Sequence, residues 1–405
     1  MDIAPDLGSK SLPINHARLL WFVSAHELNR NAAPSIDEIS LGRMLDEDVS
    51  TATVFTKPQR YEMVFDLQRT VQMDRIALVL NSPGLPVQIR VSDSDLSRRD
   101  GRGWTEAGET ESQVPVTNVE FRPQPVRFVH LTIDASKISP DRPLKVYEFR
   151  IFGEEDMRDY ALVPTPSGEM TDRRQVIASN SGIYPPEMLE PDLASLTSGG
   201  RILYASSVRK NKNVSLIIDD DPDTRWIADP EEKETLVVID LGAERKIKKV
   251  SLLHSMRAGE MLVYLSNSLP GKPGPAATLA WLGGVFDTPL FQLAAHESAG
   301  RDAQPPVTSE WLGQQEPFGR IDTTDSIFSE TTGSTRNARY VILRYLNRGG
   351  RDDLPLMINV VNVLGDYKPE DFVLAPRGLP AIASGGSLGA PVPSSTPLGV
   401  PPGDI

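Results

Sequence analysis

The chain repeats itself, and the repeat leaves few folds open to it. The segments YEMVFDLQ (61–68), DRIALVL (74–80) and VQIRVSDS (87–94) are answered by TLVVIDLG (235–242), KKVSLL (248–253) and MLVYLSNS (261–268). Asp66 to Ser94 is 28 positions, and so is Asp240 to Ser268. Farther on, VRFVHLTI (126–133) and VYEFRIFG (146–153) are answered by RYVILRYL (339–346) and INVVNVLG (358–365). Phe128 to Gly153 and Tyr340 to Gly365 are both 25 positions. Spacing kept over stretches this long marks duplication of a whole structural unit, hence two similar domains in tandem.

The repeated segments are short, rich in Val, Ile, Leu and aromatics, and bounded by Gly, Pro, Asn, Asp or Ser, the signature of strands. VQIRV alternates, as a strand with one buried face does, whereas LVVID is nearly continuous, as in the centre of a sandwich. Helical periodicity is scarce, and 34 Pro and 30 Gly are spread through the connections. The expected fold class is all-β: two tandem antiparallel β-sandwiches. The expected map is an N-terminal extension (1–15), a first sandwich (16–155), a Pro-rich linker (156–194), a second sandwich (195–368) and a Pro/Gly/Ser-rich tail (369–405). Ser268 to Tyr340 is 72 positions where Ser94 to Phe128 is 34, so the second copy carries an insertion, placed at about 270–335. The tail cannot build a core by its composition.

With 42 basic against 55 acidic residues, the net charge of −13 disfavours a nucleic-acid binder, which neutralises phosphates with Lys and Arg. The absence of cysteine excludes disulfides, thiolate metal sites and cysteine nucleophiles. No apolar run approaches the roughly 20 residues that span a bilayer. MDIAPDLGSK lacks the basic-then-apolar pattern of a secretion signal. The five His (16, 26, 130, 254, 296) form no metal spacing and no triad, no Gly-rich phosphate loop follows a strand, and no carboxylate pair stands out. The expectation is a protein without catalytic residues.

The stretch ASSVRKNKNVSLIIDDDPDTRW (205–226), the strand VVIDLG and KKVSLL resemble the discoidin domain of the galactose-binding-like superfamily. The matching elements are Ser206 and Ser207, Asp219 to Trp226, Asp240 to Gly242, Ser266 to Ser268, Arg339 to Leu343, and Gly365. The first unit is a diverged copy: its turn is MLDEDVSTATVF, with Phe55 read at the Trp position and Gln68 in place of Gly. The resemblance implies an eight-stranded antiparallel jelly roll in each unit.

In the resembling family the acidic turn often binds calcium, helped by a carboxylate near the last strand. The ligands so implied are Asp219, Asp221, Asp223 and Thr224 in the second unit, and Asp46, Asp48 and Glu148 in the first. The other reading is that these carboxylates cap the turn and pair with Arg225. Calcium is the one cofactor the resemblance brings in. Family members bind glycans, lipid head groups or proteins through loops at one end of the sandwich. The corresponding positions are His26, Asn29 and Arg30, then Arg209, Asn211, Asn213 and Arg257. Trp311, in the insertion, has no counterpart in the first copy and is the candidate for an exposed contact, or else an anchor for its loop. Trp226 reads as core.

These observations leave a non-catalytic structural or interaction protein that docks to partner subunits of a larger assembly through its loops, insertion and tail. The alternative is a carbohydrate- or cell-surface-binding adhesion protein. Protein subunits or surface glycans are the expected partners, with homo-oligomers among them and nucleic acid excluded. The resemblance implies an extracellular, cell-surface or virion-associated place.

Overall fold

The computed structural model describes residues 11–19, 23–28, 35–94, 103–156, 162–164, 170–172, 184–195, 198, 200–206, 214–271, 306–349 and 355–366. Among them no helix is long and apolar enough to cross a membrane. The first half forms β1 Ser11–Asn15, β2 Ser24–Glu27, β3 Thr53–Phe55, β4 Arg60–Leu80, β5 Pro86–Ser92, β6 Thr105–Glu111, β7 Val116–Asp134 and β8 Leu144–Asp156. Their order is β1-β8-β4-β7-β5-β6, with β2 also on β4 and β3 on β8. A small hairpin follows, β9 Leu162–Pro164 and β10 Met170–Asp172. The second half forms β11 Arg201–Ala205, β12 Trp226–Ile227, β13 Glu234–His254, β14 Gly259–Ser266, β15 Gly319–Asp322, β16 Phe328–Asn347 and β17 Met357–Asp366. Their order is β12-β17-β13-β16-β14-β15, with β11 also on β13. The chain is thus all-β, and its two large sheets are antiparallel.

Strands β4 and β13 are each 21 residues long because each crosses from one layer of its sandwich to the other. The early part of β4, through Asp66, pairs with β2 and the late part of β7. The part from Arg75 pairs with β8 and the early part of β7. The register breaks between Asp66 and Val71, and likewise between Asp240 and Arg245. At each corner the backbone takes a left-handed residue, Gln68 at φ 61° and Gly242 at φ 78°. Asp66 Oδ1 accepts from Gln68 N–H, and Asp240 Oδ1 from Gly242 N–H, each at 2.8 Å. The paired aspartates therefore cap the corner, as short polar side chains do in tight turns.

Alternation fills the interior. Tyr61, Met63 and Phe65 point inward from β4, and Phe65 stacks on Phe149 with centroids 4.0 Å apart. In the second core Trp226 is 1% exposed among Val237, Ile239, Leu252 and Ile358, as read from sequence. Both last strands carry a glycine that permits close packing: a Cβ at Gly153 would lie 1.7 Å from the Gln72 carbonyl oxygen, and one at Gly365 2.0 Å from that of Lys246.

Several expectations need correcting. Among the described residues the second sheet has seven strands, not eight. The counterpart of β1 is reduced to an isolated bridge, Asp192 to Leu364, where the first copy pairs Asn15 with Phe152. Phe55 does not take the Trp position. Thr53 pairs with Val146 as Trp226 pairs with Ile358, and Phe55 lies two residues later, edge-on to Tyr61. Residues 11–15, read as an extension, form an edge strand. Tyr184, Met188 and Leu189, read as linker, pack into the first core, where Gly42 leaves room for Tyr184. Proline content marked that stretch as a linker, but its apolar side chains bind it down. In the span read as insertion, β15 belongs to the sheet through β14, and the start of β16 through β13. The tail and residues 272–305 lie outside the described residues.

Candidate functional site

The two acidic turns have the same internal geometry, 173 positions apart. Asp46 Oδ2 accepts from the Thr51 hydroxyl and Oδ1 from Asp48 N–H; Asp219 accepts from the Thr224 hydroxyl and from Asp221 N–H. Glu47 at φ 60° and Asp220 at φ 64° hold the same left-handed place. Asp46 and Asp219 therefore brace the turn from within. Burial lifts both carboxyls well above the usual range, with Asp48 and Glu148 adding to the effect on Asp46 and Asp221 to that on Asp219.

The remaining carboxylates reach across to the other sandwich. Asp48 meets Lys249 Nζ at 2.7 Å and the Ser251 hydroxyl at 3.0 Å, both on β13. Asp221 meets Arg75 on β4, with Nη1 to Oδ1 at 3.0 Å. Arg75 and Lys249 are equivalent positions of the repeat, so the two contacts are reciprocal. Arg18, 4% exposed, pairs with Glu47 at 2.7 Å and Asp220 at 2.8 Å, while Arg150 donates to the Asp220 carbonyl. Val49 N–H donates to Asn362 Oδ1, and Tyr147 stacks on Phe328 at 3.7 Å. Val79, Leu253 and Val360 complete an apolar seam.

The calcium expectation does not fit these residues. Asp48 and Asp221 are held by the protein's own cations, and Glu148 lies 3.5 Å from Arg150 Nε. Among the described residues no group of three or more His, Asp or Glu is gathered as a metal ion needs. Asp223 is exposed; its N–H donates to Asp221 Oδ1 at 3.1 Å, and its charge acts on Arg75. Of the two readings, turn capping is what the geometry supports, with Arg75 rather than Arg225 as the partner of Asp221.

Burial pushes Glu148 up to about 8, with Arg150 opposing and Glu47 and Asp48 adding, and pushes Asp192 up to about 7, with Asp220 adding. Both groups bind a proton more tightly folded than unfolded. Their stabilisation is complete below the ordinary carboxylate range and is lost as pH rises through about 7 and 8. Thermal melts should therefore show a transition temperature that falls from mildly acidic to mildly alkaline buffer. Glu148→Gln should flatten the alkaline part of the profile. A transition temperature that climbs over that range would contradict the assignment.

The corner of the second sandwich gathers a different set of groups. Asp240, 1% exposed, accepts from Arg339 Nε at 2.8 Å and Nη2 at 3.0 Å, and from Arg201 Nε at 2.8 Å and Nη2 at 2.6 Å. Burial opposes its ionisation, but the hydrogen bonds from Arg339 and Arg201 hold its carboxyl below the usual range. The Arg339 guanidinium lies 5.2 Å from the centre of the half-buried Tyr340 ring. The first sandwich repeats part of this set: Arg127 holds Asp66 at 3.1 Å and lies 4.9 Å from the Phe128 ring. Ser24 faces Asp66 where Arg201 faces Asp240. The Asp–Arg–aryl unit is thus part of the shared frame, and Arg201 is what the second copy adds. Arg and ring are adjacent in both copies, while Asp to Arg is 61 positions in the first and 99 in the second because the insertion lies between them, so this unit could have been read from the aligned repeat; Arg201 could not.

The other predicted positions are dispersed. His26 Nδ1 contacts Glu38 at 2.7 Å on the first sandwich. Arg257 is 4% exposed and hydrogen-bonds Asn347 at 3.1 Å, so it is built into the second sandwich rather than offered to a ligand. Trp311 sits on a short helix, Ser309–Gly313, and packs with Val307 and Leu312 on the outer face of the second sheet, against Val238, Tyr264 and Ile342. It anchors its loop. Asn29, Arg30, Arg209, Asn211 and Asn213 lie outside the described residues.

No family model matches the sequence, and no curated protein matches it. Solved structures similar to the chain include CpGH89CBM32-6 from Clostridium perfringens, 20% identical over 32% of this chain and 91% of that one, with a TM-score of 0.24. Chitosan-binding module 1 of a chitosanase/glucanase from Paenibacillus sp. IK-5 is 16% identical over 43% of this chain and 99% of its own, with a TM-score of 0.28. A fucolectin from striped bass (Morone saxatilis) serum is 12% identical over 87% of this chain and 98% of its own, also with a TM-score of 0.28.

Proposed function

We propose that this chain is a non-catalytic carbohydrate-binding protein whose two sandwiches act as one body and whose ligand is met at the Arg201–Asp240–Arg339–Tyr340 corner. The observation that carries this reading is two guanidinium groups fixed by one buried carboxylate beside an aromatic ring. Fixed planar donors next to an apolar ring face are what a sugar ring needs, its hydroxyls on one side and its C–H face on the other. The motifs that resemble the discoidin domain are in keeping with it. Docking into a larger assembly through the sandwich loops, insertion and tail takes second place, since the fixed guanidinium pair beside a ring favours the sugar reading.

Retention of the full chain on a panel of immobilised polysaccharides tests the reading. Wild type is expected to be retained on at least one of them. Arg201→Ala should weaken that retention about tenfold in the folded fraction, a loss near 1.4 kcal/mol, and should also lower the melting transition, because Asp240 keeps only the Arg339 cation. Arg257→Ala, away from the corner, should leave affinity unchanged in the folded fraction. Equal retention of wild type and Arg201→Ala would contradict the site, and no retention on any matrix would contradict the function.

A further inference from the structure

The contact between the sandwiches has a property that an ordinary domain junction lacks: each sandwich carries both halves of it. Asp48 and Asp221 occupy one place in the turn, and Arg75 and Lys249 one place on the long strand. Across the junction Asp48 takes Lys249 and Asp221 takes Arg75. Arg150 and Asn362, matching positions on β8 and β17, both donate to or accept from the opposite turn. Val79 and Leu253, also matching, meet in the apolar seam. Surfaces related in this way are self-complementary, as in a two-fold dimer.

We propose that this surface also fits a second copy of the chain: the first sandwich of one molecule pairs with the second sandwich of another, giving an exchanged dimer. The exchanged and closed forms use identical contacts. They differ only in loop closure and concentration, so the balance between them is set by the effective concentration of the linked sandwiches against the concentration of free chains, and the strength of the contact cancels. The inference does not depend on the carbohydrate reading.

Two full-length variants test it. Variant one carries Asp48→Lys and Asp221→Lys; variant two carries Arg75→Glu and Lys249→Glu. Within either variant every cross pair becomes like-charged. Between them every pair is restored: the Lys-bearing turns of variant one face the Glu-bearing strands of variant two, and the native turns of variant two face the native strands of variant one. Light scattering after size exclusion, at tens of micromolar, should find each variant alone largely monomeric and the mixture forming one-to-one dimers. Two folded variants that stay monomeric when mixed would overturn the proposal. Should either fail to fold, wild type refolded from urea replaces them: its dimer fraction should rise severalfold between about 1 and about 100 micromolar, because opened chains then pair by mass action, and refolding to monomer at every concentration would overturn the proposal.

Discussion

Arg18→Ala should destabilise the chain by ~3–5 kcal/mol, the cost of stripping the partner from buried charges. Arg18 is 4% exposed in its side chain and lies 2.7 Å from Glu47 and 2.8 Å from Asp220, whose side chains are each 6% exposed. Glu47 and Asp220 belong to the turns of different sandwiches, so the guanidinium is the point where the two acidic turns share one cation. Without it two carboxylates stay in a dry seam already crowded by Glu148 and Asp192, both of which hold a proton to about 8 and 7. A loss of this size is a large part of the ~5–15 kcal/mol that holds a typical domain folded. Urea unfolding of the full chain measures it. Adding Glu47→Gln to Arg18→Ala should recover part of the loss, because one of the stranded charges is removed.

Trp226→Ala should cost about as much, ~3–5 kcal/mol, for a different reason. Trp226 is 1% exposed, starts the two-residue strand opposite Ile358, and fills the second core under the acidic turn. Its removal leaves a cavity that neighbouring Ile239, Leu252 and Ile358 can close only in part. The effect should stay in the second sandwich, since the matching position of the first copy is Thr53, whose hydroxyl donates to the Ser40 carbonyl at 2.7 Å. A cost under about 1 kcal/mol would place Trp226 outside the packed core.

The frame of this protein was legible in the sequence because strand spacing is a local property repeated twice. Asp66 and Asp240, Arg127 and Arg339, Phe128 and Tyr340 keep their places since each closes a corner within its own sandwich. The role of the acidic turns was not legible. Lys249 is 201 positions from Asp48, and Arg75 is 146 from Asp221, so nothing in the neighbourhood of either turn announces its partner. Read alone, alternating aspartates with a threonine resemble a cation loop, and the cations that answer them come from the other copy of the repeat. Arg257 was misread for a similar reason: a loop arginine looks solvated until Asn347, 90 positions on, is folded against it. Trp311 could be placed in the insertion but not on the sheet face that it covers, because that face is apolar only in the second copy, where Tyr264 stands in place of Arg90 and Ile342 in place of His130.

The duplication therefore did more than double a sandwich. It supplied each acidic turn with a cation on the other unit. A pair of double-mutant cycles on the full chain, Asp48→Ala with Lys249→Ala and Asp221→Ala with Arg75→Ala, measures that directly. The reciprocal clasp predicts coupling energies of ~1–3 kcal/mol in both cycles, equal in sign and similar in size. Coupling indistinguishable from zero in either cycle would contradict it.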